Sequence, residues 1–431
     1  MLTRTSIVRG SISAFARTRA FHSSPKRYDL SARQIEIVKS TAPVLADHGI
    51  AITTHFYKRM LDAHPELNNI FNTVHQATGA QPAALAHAIW AYASNIDNLG
   101  ALSTAVSRIG HKHASLNVTP EQYPIVGEHL LASIKEILGD GVDEPVLDAW
   151  REAYAQLAKI FIDFEAGLYK KAKATPGGWT DWRKFTVAKK IHESDEIISF
   201  HLTPSDHGPL PTFESGQFIS VRAFIPELGV YQPRQYSLSD APDGTHFRIS
   251  VKKESATSKG PAGRISNVLH EHLPEASELE VSNPFGDFTL DTNADTPVVL
   301  ISGGVGITPM MSMLSNIVSH KKDRRVVFVH AVRNGKVHAM KDYLAQVTAE
   351  NPQVSRAVFY EEVGEKDRRD VDYDHRGRIE LEKIRDLVLL PDADYYLCGP
   401  VVFMRVEQKG LEEMGVPKER IHSEVFGAGT A

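Results

Sequence analysis

Several short stretches of this chain carry residue types suited to chemistry rather than to filling a core. Ser302-Gly303-Gly304-Val305-Gly306-Ile307-Thr308-Pro309 follows the apolar run Val298-Val299-Leu300-Ile301. Glycines let a backbone approach a pyrophosphate closely, and a helix opening there turns its N–H groups toward the negative charge. Pro309 stands where the usual dinucleotide fingerprint has its third glycine, so this is a different form of loop. Leu397-Cys398-Gly399-Pro400 ends a later apolar run, where Cys398 is either a small buried residue or a neighbour of the nicotinamide. Arg234-Gln235-Tyr236-Ser237 sets a cation, an aromatic plane and a hydroxyl within one strand end. A flavin needs these three at its pyrophosphate, its ring and its reactive nitrogen. Gly216-Gln217-Phe218 precedes that motif, and Gly263-Arg264-Ile265-Ser266-Asn267 follows it with backbone N–H groups to offer a phosphate.

A histidine on an apolar face is the other candidate. At about 100° per residue, Val106, Ile109, His113 and Leu116 share one side of a helix, while His111 points away and is expected to face water. An imidazole at such a place needs a partner, and either a hydrogen-bonded core or a metal ion provides one. Periodicity alone does not separate the two. Tyr57 is placed on a helical face with Ile50, Met60 and Leu61, its hydroxyl directed into the bundle, and Glu165 falls at the edge of the stripe formed by Phe161 and Leu168.

The elements that must hold these groups follow three different periodicities. Residues 29–172 read as helical, most clearly where Leu147, Trp150, Tyr154, Leu157, Phe161, Phe164 and Leu168 recur at steps of three and four. Thr175-Pro176-Gly177-Gly178 breaks the pattern, giving a linker over 173–180. Over 181–292, short runs such as Ile197–Leu202, Phe218–Val221 and Phe247–Val251 alternate with Pro, Gly and Asp turns, as in a small antiparallel barrel. Over 293–431, strands and helices alternate, which indicates a parallel α/β domain. The fold expected is therefore multidomain: all-α, then an antiparallel β-barrel, then a parallel α/β sheet.

Composition sets outer limits. The 431 residues suffice for about three domains. A net charge of −5 argues against a nucleic-acid partner. One cysteine excludes an intrachain disulfide and a four-cysteine metal site. No apolar run is long enough to span a bilayer. Residues 1–28 stand apart: six basic residues, many serines and no acid before Asp29 match a mitochondrial transit peptide. Its removal leaves 42 basic against 53 acidic residues. The expected location is the mitochondrial matrix, with a cytosolic pool as an addition.

Taken together, Thr54-His55-Phe56-Tyr57, Ile70-Phe71-Asn72, His75-Gln76, Lys112-His113 and Pro120-Glu121-Gln122-Tyr123 resemble the globin part of a flavohemoglobin, in a mitochondrially targeted, fungal-like form. The later motifs resemble the ferredoxin-reductase family that completes such proteins, and the likeness spans about 400 residues. The resemblance implies a b-type haem with His113 as proximal iron ligand. It implies Tyr57 and Gln76 on the distal side, Phe71 and Lys112 in the haem pocket, and a Tyr123–Glu165 relay behind the imidazole. For FAD it implies Phe218, where relatives commonly carry Tyr, with Arg234, Gln235, Tyr236, Ser237, Gly263, Ile265 and Ser266. The returning tail Val425, Phe426, Gly427 and Ala428 would cover the ring, and Glu424 would tune the potentials between flavin and haem. For NAD(P)H it implies Gly304, Val305, Gly306, Ile307, Thr308, Pro309, Cys398, Gly399 and Pro400. The activity implied is nitric oxide dioxygenase: two NO, two O2 and one NAD(P)H give two nitrates, as protection against nitrosative stress. A monomer is expected, and no cluster of residues decides NADH over NADPH.

Overall fold

The computed structural model describes residues 30–258, 260–320 and 323–427; the basic leader and Ala428 lie outside the described residues. The first unit is built of α1 (Ala32–Ser40), α2 (Ala42–Ala63), α3 (Thr73–Ala77), α4 (Ala80–Ser94), α5 (Ser103–Ser115), α6 (Gln122–Leu138) and α7 (Glu144–Ala174). Local signals start these helices: Ser31 and Gln34 form a reciprocal capping box on α1, and Asp143 caps α7 ahead of Pro145. Ile52, Phe56, Met60, Ala93 and Ala149 close the core. α7 runs on through Ala174, past the boundary expected at 172, and ends at the Thr175-Pro176 breaker. Ile50 was expected beside Tyr57 but is 61% exposed; Ile52, Thr53 and Phe56 are the buried side of α2.

The middle unit is a six-stranded antiparallel sheet of β1 (Arg183–His192), β2 (Ile197–Pro204), β3 (Phe218–Ile225), β4 (Val230–Ser237), β5 (Phe247–Lys252) and β6 (Glu278–Val281), with α8 (Arg264–Glu271) between the last two. The spatial order is β4-β3-β6-β1-β2-β5. A bridge between Leu238 and Ile249 ties the two outer strands, so the sheet curls into a barrel around Phe185, Phe200, Leu202 and Val221. Pro233 lies inside β4 rather than ahead of it, which an outer strand tolerates because its missing N–H faces away from a ladder.

The last unit alternates β7 (Val298–Gly303), α9 (Ile307–His320), β8 (Val326–Val332), α10 (Lys341–Glu350), β9 (Val354–Tyr360), β10 (His375–Arg376), α11 (Arg385–Val388), β11 (Asp394–Gly399), α12 (Val401–Glu413) and β12 (Ile421–Val425). Its parallel sheet has the order β10-β9-β8-β7-β11-β12. Val298 and Leu300 face Met310 and Leu314 of α9, whereas Val299 and Ile301 face Met404 and Leu411 of α12, so β7 is covered on both sides. The chain leaves β7 toward β8 and later returns to β11 on its other flank. A crevice therefore opens outside the carboxyl ends of β7 and β11, where such sheets bind their ligands.

A buried amide is among the groups that fasten the helical unit to the barrel. Gln232 of β4 accepts from the Thr73 N–H (3.0 Å) and hydroxyl (2.9 Å), and donates to the Asn68 (2.9 Å) and Phe71 (3.2 Å) carbonyls. No helix among the described residues is long and apolar enough to cross a membrane.

Candidate active site

His113 lies on the last turn of α5, and the two groups that engage it come from α6 and α7. Its Nδ1 is 2.7 Å from Glu165 Oε1 and 3.2 Å from the Tyr123 hydroxyl, which itself donates to Glu165 Oε1 at 2.6 Å. The carboxylate was expected at a stripe edge; it is instead 2% exposed. A buried carboxylate is costly unless donors surround it, and the phenol and imidazole N–H supply two. Burial and the neighbouring carboxylate push the Tyr123 phenol above its ordinary range, so it remains a donor. This arrangement fixes the imidazole tautomer: Nδ1 carries the proton and Nε2 keeps its lone pair. The His113 side chain stays 33% exposed, so that free edge is accessible. A haem iron fits this donor, an imidazole whose Nδ1 is held by a carboxylate. α5 reaches α7 because Gly110 has no side chain; a Cβ there would lie 2.3 Å from the Phe164 ring.

On α2, Tyr57 is 5% exposed and packs edge-on against Phe56 (4.8 Å) and Phe71 (5.5 Å). Burial pushes its phenol up to about 12, which keeps it a neutral donor. The amide beside it is Gln81 of α4, whose Nε2 donates to the Tyr57 hydroxyl at 3.3 Å. Gln81 rather than Gln76 is thus the glutamine in contact with Tyr57. Gln76 sits on α3 with a buried Nε2 that has no protein partner. The signal that could have found Gln81 is its position at the start of an apolar helix following the Gly79 turn. His111 was expected in water, yet its Nδ1 accepts the Gly286 N–H at 2.9 Å, because the outer face of α5 meets the barrel.

The barrel face toward α3 carries the flavin candidates. Arg234 donates to Asn72 Oδ1 at 2.6 Å, and burial lowers its guanidinium to about 10. Beside it His75 falls to about 4, by burial and by the charges of Arg234 and Lys112. Burial also raises the Tyr236 phenol. Ser237 is buried and Gln235 exposed. Gly263 precedes α8 without a side-chain cap, so the first N–H groups of that helix are free for a phosphate. Ile265 offers only backbone, since its side chain is in the barrel core, and the Ser266 hydroxyl is spent between Gly263 O (3.2 Å) and Glu254 N (3.2 Å). Phe218 is 5% exposed and packs with Ala114, Ala172 and Phe285. A flavin fits the remaining set: a desolvated arginine, an aromatic plane and an uncapped helix start.

In the crevice of the parallel sheet, Gly304, Val305 and Gly306 form a tight turn, and Ile307, Thr308 and Pro309 begin α9. Any side chain at Gly306 would put its Cβ 2.2 Å from the Cys398 carbonyl, so glycine here allows the two loops to touch. Cys398 itself is fully buried and its thiol is pushed well above the ordinary range, so it presents backbone, followed by Gly399 and Pro400. Glu424 of β12 stands in register with Cys398, and burial raises its carboxyl to about 8. Val425 is buried, Phe426 is 40% exposed, and the Gly427 carbonyl accepts Lys112 Nζ at 2.9 Å. The residue before His113 is thus bonded to the tail of the third unit.

Comparison with known proteins follows this geometry. Residues 54–161 match the globin family model, and residues 300–409 match the oxidoreductase NAD-binding domain. The chain is 52% identical over 401 residues to the flavohemoprotein of Bordetella pertussis, covering 93% of this chain and 99% of that one. It is 51% identical over 398 residues to that of Rhizobium meliloti, covering 92% and 98%. The flavohemoglobin of Malassezia yamatoensis, solved with bound FAD and heme, superposes with a TM-score of 0.82 at 28% identity, over 92% of this chain and 100% of that one. The flavohem-like FAD/NAD-binding domain of nitric oxide dioxygenase from Vibrio cholerae superposes at 0.52 and 35% identity, over 57% of this chain and 99% of that domain. Helical, barrel and nicotinamide units in this order, with half of all residues shared along nearly the full length, mean that the chain belongs to the flavohemoproteins.

Proposed function

We propose that this protein binds haem b, FAD and NAD(P)H and acts as a nitric oxide dioxygenase, converting two NO and two O2 to two nitrates per NAD(P)H. The observation that carries the reading is the Tyr123–Glu165–His113 triangle, formed across α5, α6 and α7, with Lys112, the residue before His113, bonded to Gly427. When bound, the flavin accepts a two-electron hydride and releases electrons singly, and the iron provides the place where O2 and NO meet. The protein's part is positional. Glu165 gives the imidazole anionic character, which favours oxygen activation over storage. Tyr57, held neutral by burial and oriented by Gln81, offers a hydrogen-bond donor on the other side. The Gly304–Pro309 turn and the Cys398–Pro400 backbone form the wall against which a dinucleotide lies.

Nitrate counted against NO consumed, with NADH and O2 present, tests this reading. About one nitrate per NO, lost in His113→Ala, is the expected result. Acceptor reduction without NO consumption would make the chain a reductase for another acceptor. We further propose that the protein acts in the mitochondrial matrix, in support of which stand the six basic residues and absence of acids over 1–28, and that it acts there as a monomer. A fluorescent protein fused to residues 1–28 should enter mitochondria, and light scattering should return the mass of one chain.

A further inference from the structure

In a sheet whose order runs outward from the switch point as β7, β8 and β9, the residue just beyond the second strand reads the adenosine ribose. An acidic group there accepts from a 2′-hydroxyl, and an arginine takes a 2′-phosphate. In this chain the position after β8 is Arg333, and its guanidinium is already engaged. Nη2 donates to Glu196 Oε1, from the turn that joins β1 to β2 in the barrel.

That turn is pinned at both sides. The Asp195 N–H donates to the Lys336 carbonyl at 3.0 Å, and the Lys253 N–H donates to the Glu196 carbonyl at 2.8 Å. Glu196 is therefore not free to follow Arg333 toward a ligand. Glu361 and Glu362 come just after β9, and their N–H groups donate to the Val332 (3.2 Å) and Arg333 (2.7 Å) carbonyls. Three carboxylates thus surround this strand end, against Arg333, the exposed Lys336 and Arg378, whose Nε donates to Glu361 Oε1 at 3.2 Å. Glu196 foremost, then Glu362 and Glu361, hold the guanidinium charged more firmly than usual. A pair this exposed adds little stability, so its place in the fold is better explained by what it does to a ligand. A dianionic 2′-phosphate would meet a strand end whose arginines, Arg333 and Arg378, are each already held by a carboxylate. A 2′-hydroxyl would meet acceptors.

We propose that the Glu196–Arg333 pair, which spans the barrel and the nicotinamide unit, selects the dinucleotide: Glu196 withholds Arg333 from a 2′-phosphate, so NADH is used in preference to NADPH. This rests on the crevice being the nicotinamide site and is independent of the nitric oxide chemistry.

The test uses the full chain with ferricyanide as acceptor, so that the haem is not needed. Glu196→Gln keeps the backbone bonds of the turn and removes the charge that holds the guanidinium. The ratio of kcat/KM for NADPH over NADH should rise roughly tenfold, the value of one charge-assisted hydrogen bond. Calorimetric titration with 2′,5′-ADP and 5′-ADP reads the same preference without turnover, and only the former should bind more tightly to the variant. Adding Arg333→Ala to Glu196→Gln should cancel both gains. An unchanged ratio in Glu196→Gln overturns the proposal, as does a gain that survives in the double variant, which would assign the phosphate to Lys336. If the unaltered chain neither oxidises a dinucleotide nor binds either ADP, the crevice reading itself fails and the pair loses its role with it.

Discussion

Glu165 and His113 are joined by a 2.7 Å hydrogen bond in which the carboxylate is nearly sealed from solvent and the imidazole is not. The asymmetry means that negative charge held on α7 can act outward only through the ring. Glu165→Gln keeps the shape and removes that charge. Activity should fall roughly 10–100-fold, the usual cost of losing a partner behind a metal ligand. The iron–histidine stretch in the ferrous protein should shift to lower frequency, which a merely structural role for Glu165 would not produce.

Tyr57 and Gln81 carry a second expectation. Tyr57→Phe should lower NO consumption while ferricyanide reduction remains intact. Gln81→Leu should speed O2 release several-fold, about the effect of one neutral hydrogen bond of ~1 kcal/mol. Gln76→Leu should leave O2 release near the original value, since Gln76 donates nothing to Tyr57.

How far these groups were legible in the sequence depends on whether their partners lie on the same element. The 3.6-residue period finds the His113 face because Val106 and Ile109 are on the same helix, and alternation finds the barrel strands for the same reason. The His113–Glu165 contact is written on two helices, and no local period records it. The misplacements share that cause. His111 looked solvated because nothing in α5 announces that Gly286 of the barrel will reach it. Ile50 looked internal because an apolar residue on α2 does not say which side packs. Gln76 was named and Gln81 was not, because nothing local in the sequence records how α3 and α4 are oriented toward Tyr57.

Glu424 should leave a mark on the pH dependence of stability. Its carboxyl is raised from 4.5 to about 8 by burial, so between those values the folded protein holds a proton that the unfolded chain releases. Stability from this group is therefore fully present below about 4.5 and is lost as pH rises through about 8. Thermal unfolding between pH 5 and 8.5 should show the unaltered protein losing Tm relative to Glu424→Gln as pH increases. A constant difference across that window would remove the expectation.

Gly306→Ala tests the contact between the two loops of the crevice. With its Cβ 2.2 Å from a backbone carbonyl, the turn must shift, since no flexible side chain is there to move aside. The KM for NADH should rise by roughly tenfold and stability fall by about 1–3 kcal/mol. The haem absorption spectrum should be unaltered, because the residues that would hold the haem iron and its relay, His113, Tyr123 and Glu165, belong to α5–α7 of the first unit.

Gln232 has a further consequence, which concerns time rather than structure. Domains joined by loose, polar contacts wander relative to one another, and electron transfer between them then waits on encounter. Here one amide with 0% exposure binds the Thr73, Asn68 and Phe71 backbone, so the loop that carries Phe71 and the strand that carries Arg234 move as a single piece. Electron transfer from flavin to haem should then depend on distance and driving force, and its rate should not change as solvent viscosity is raised.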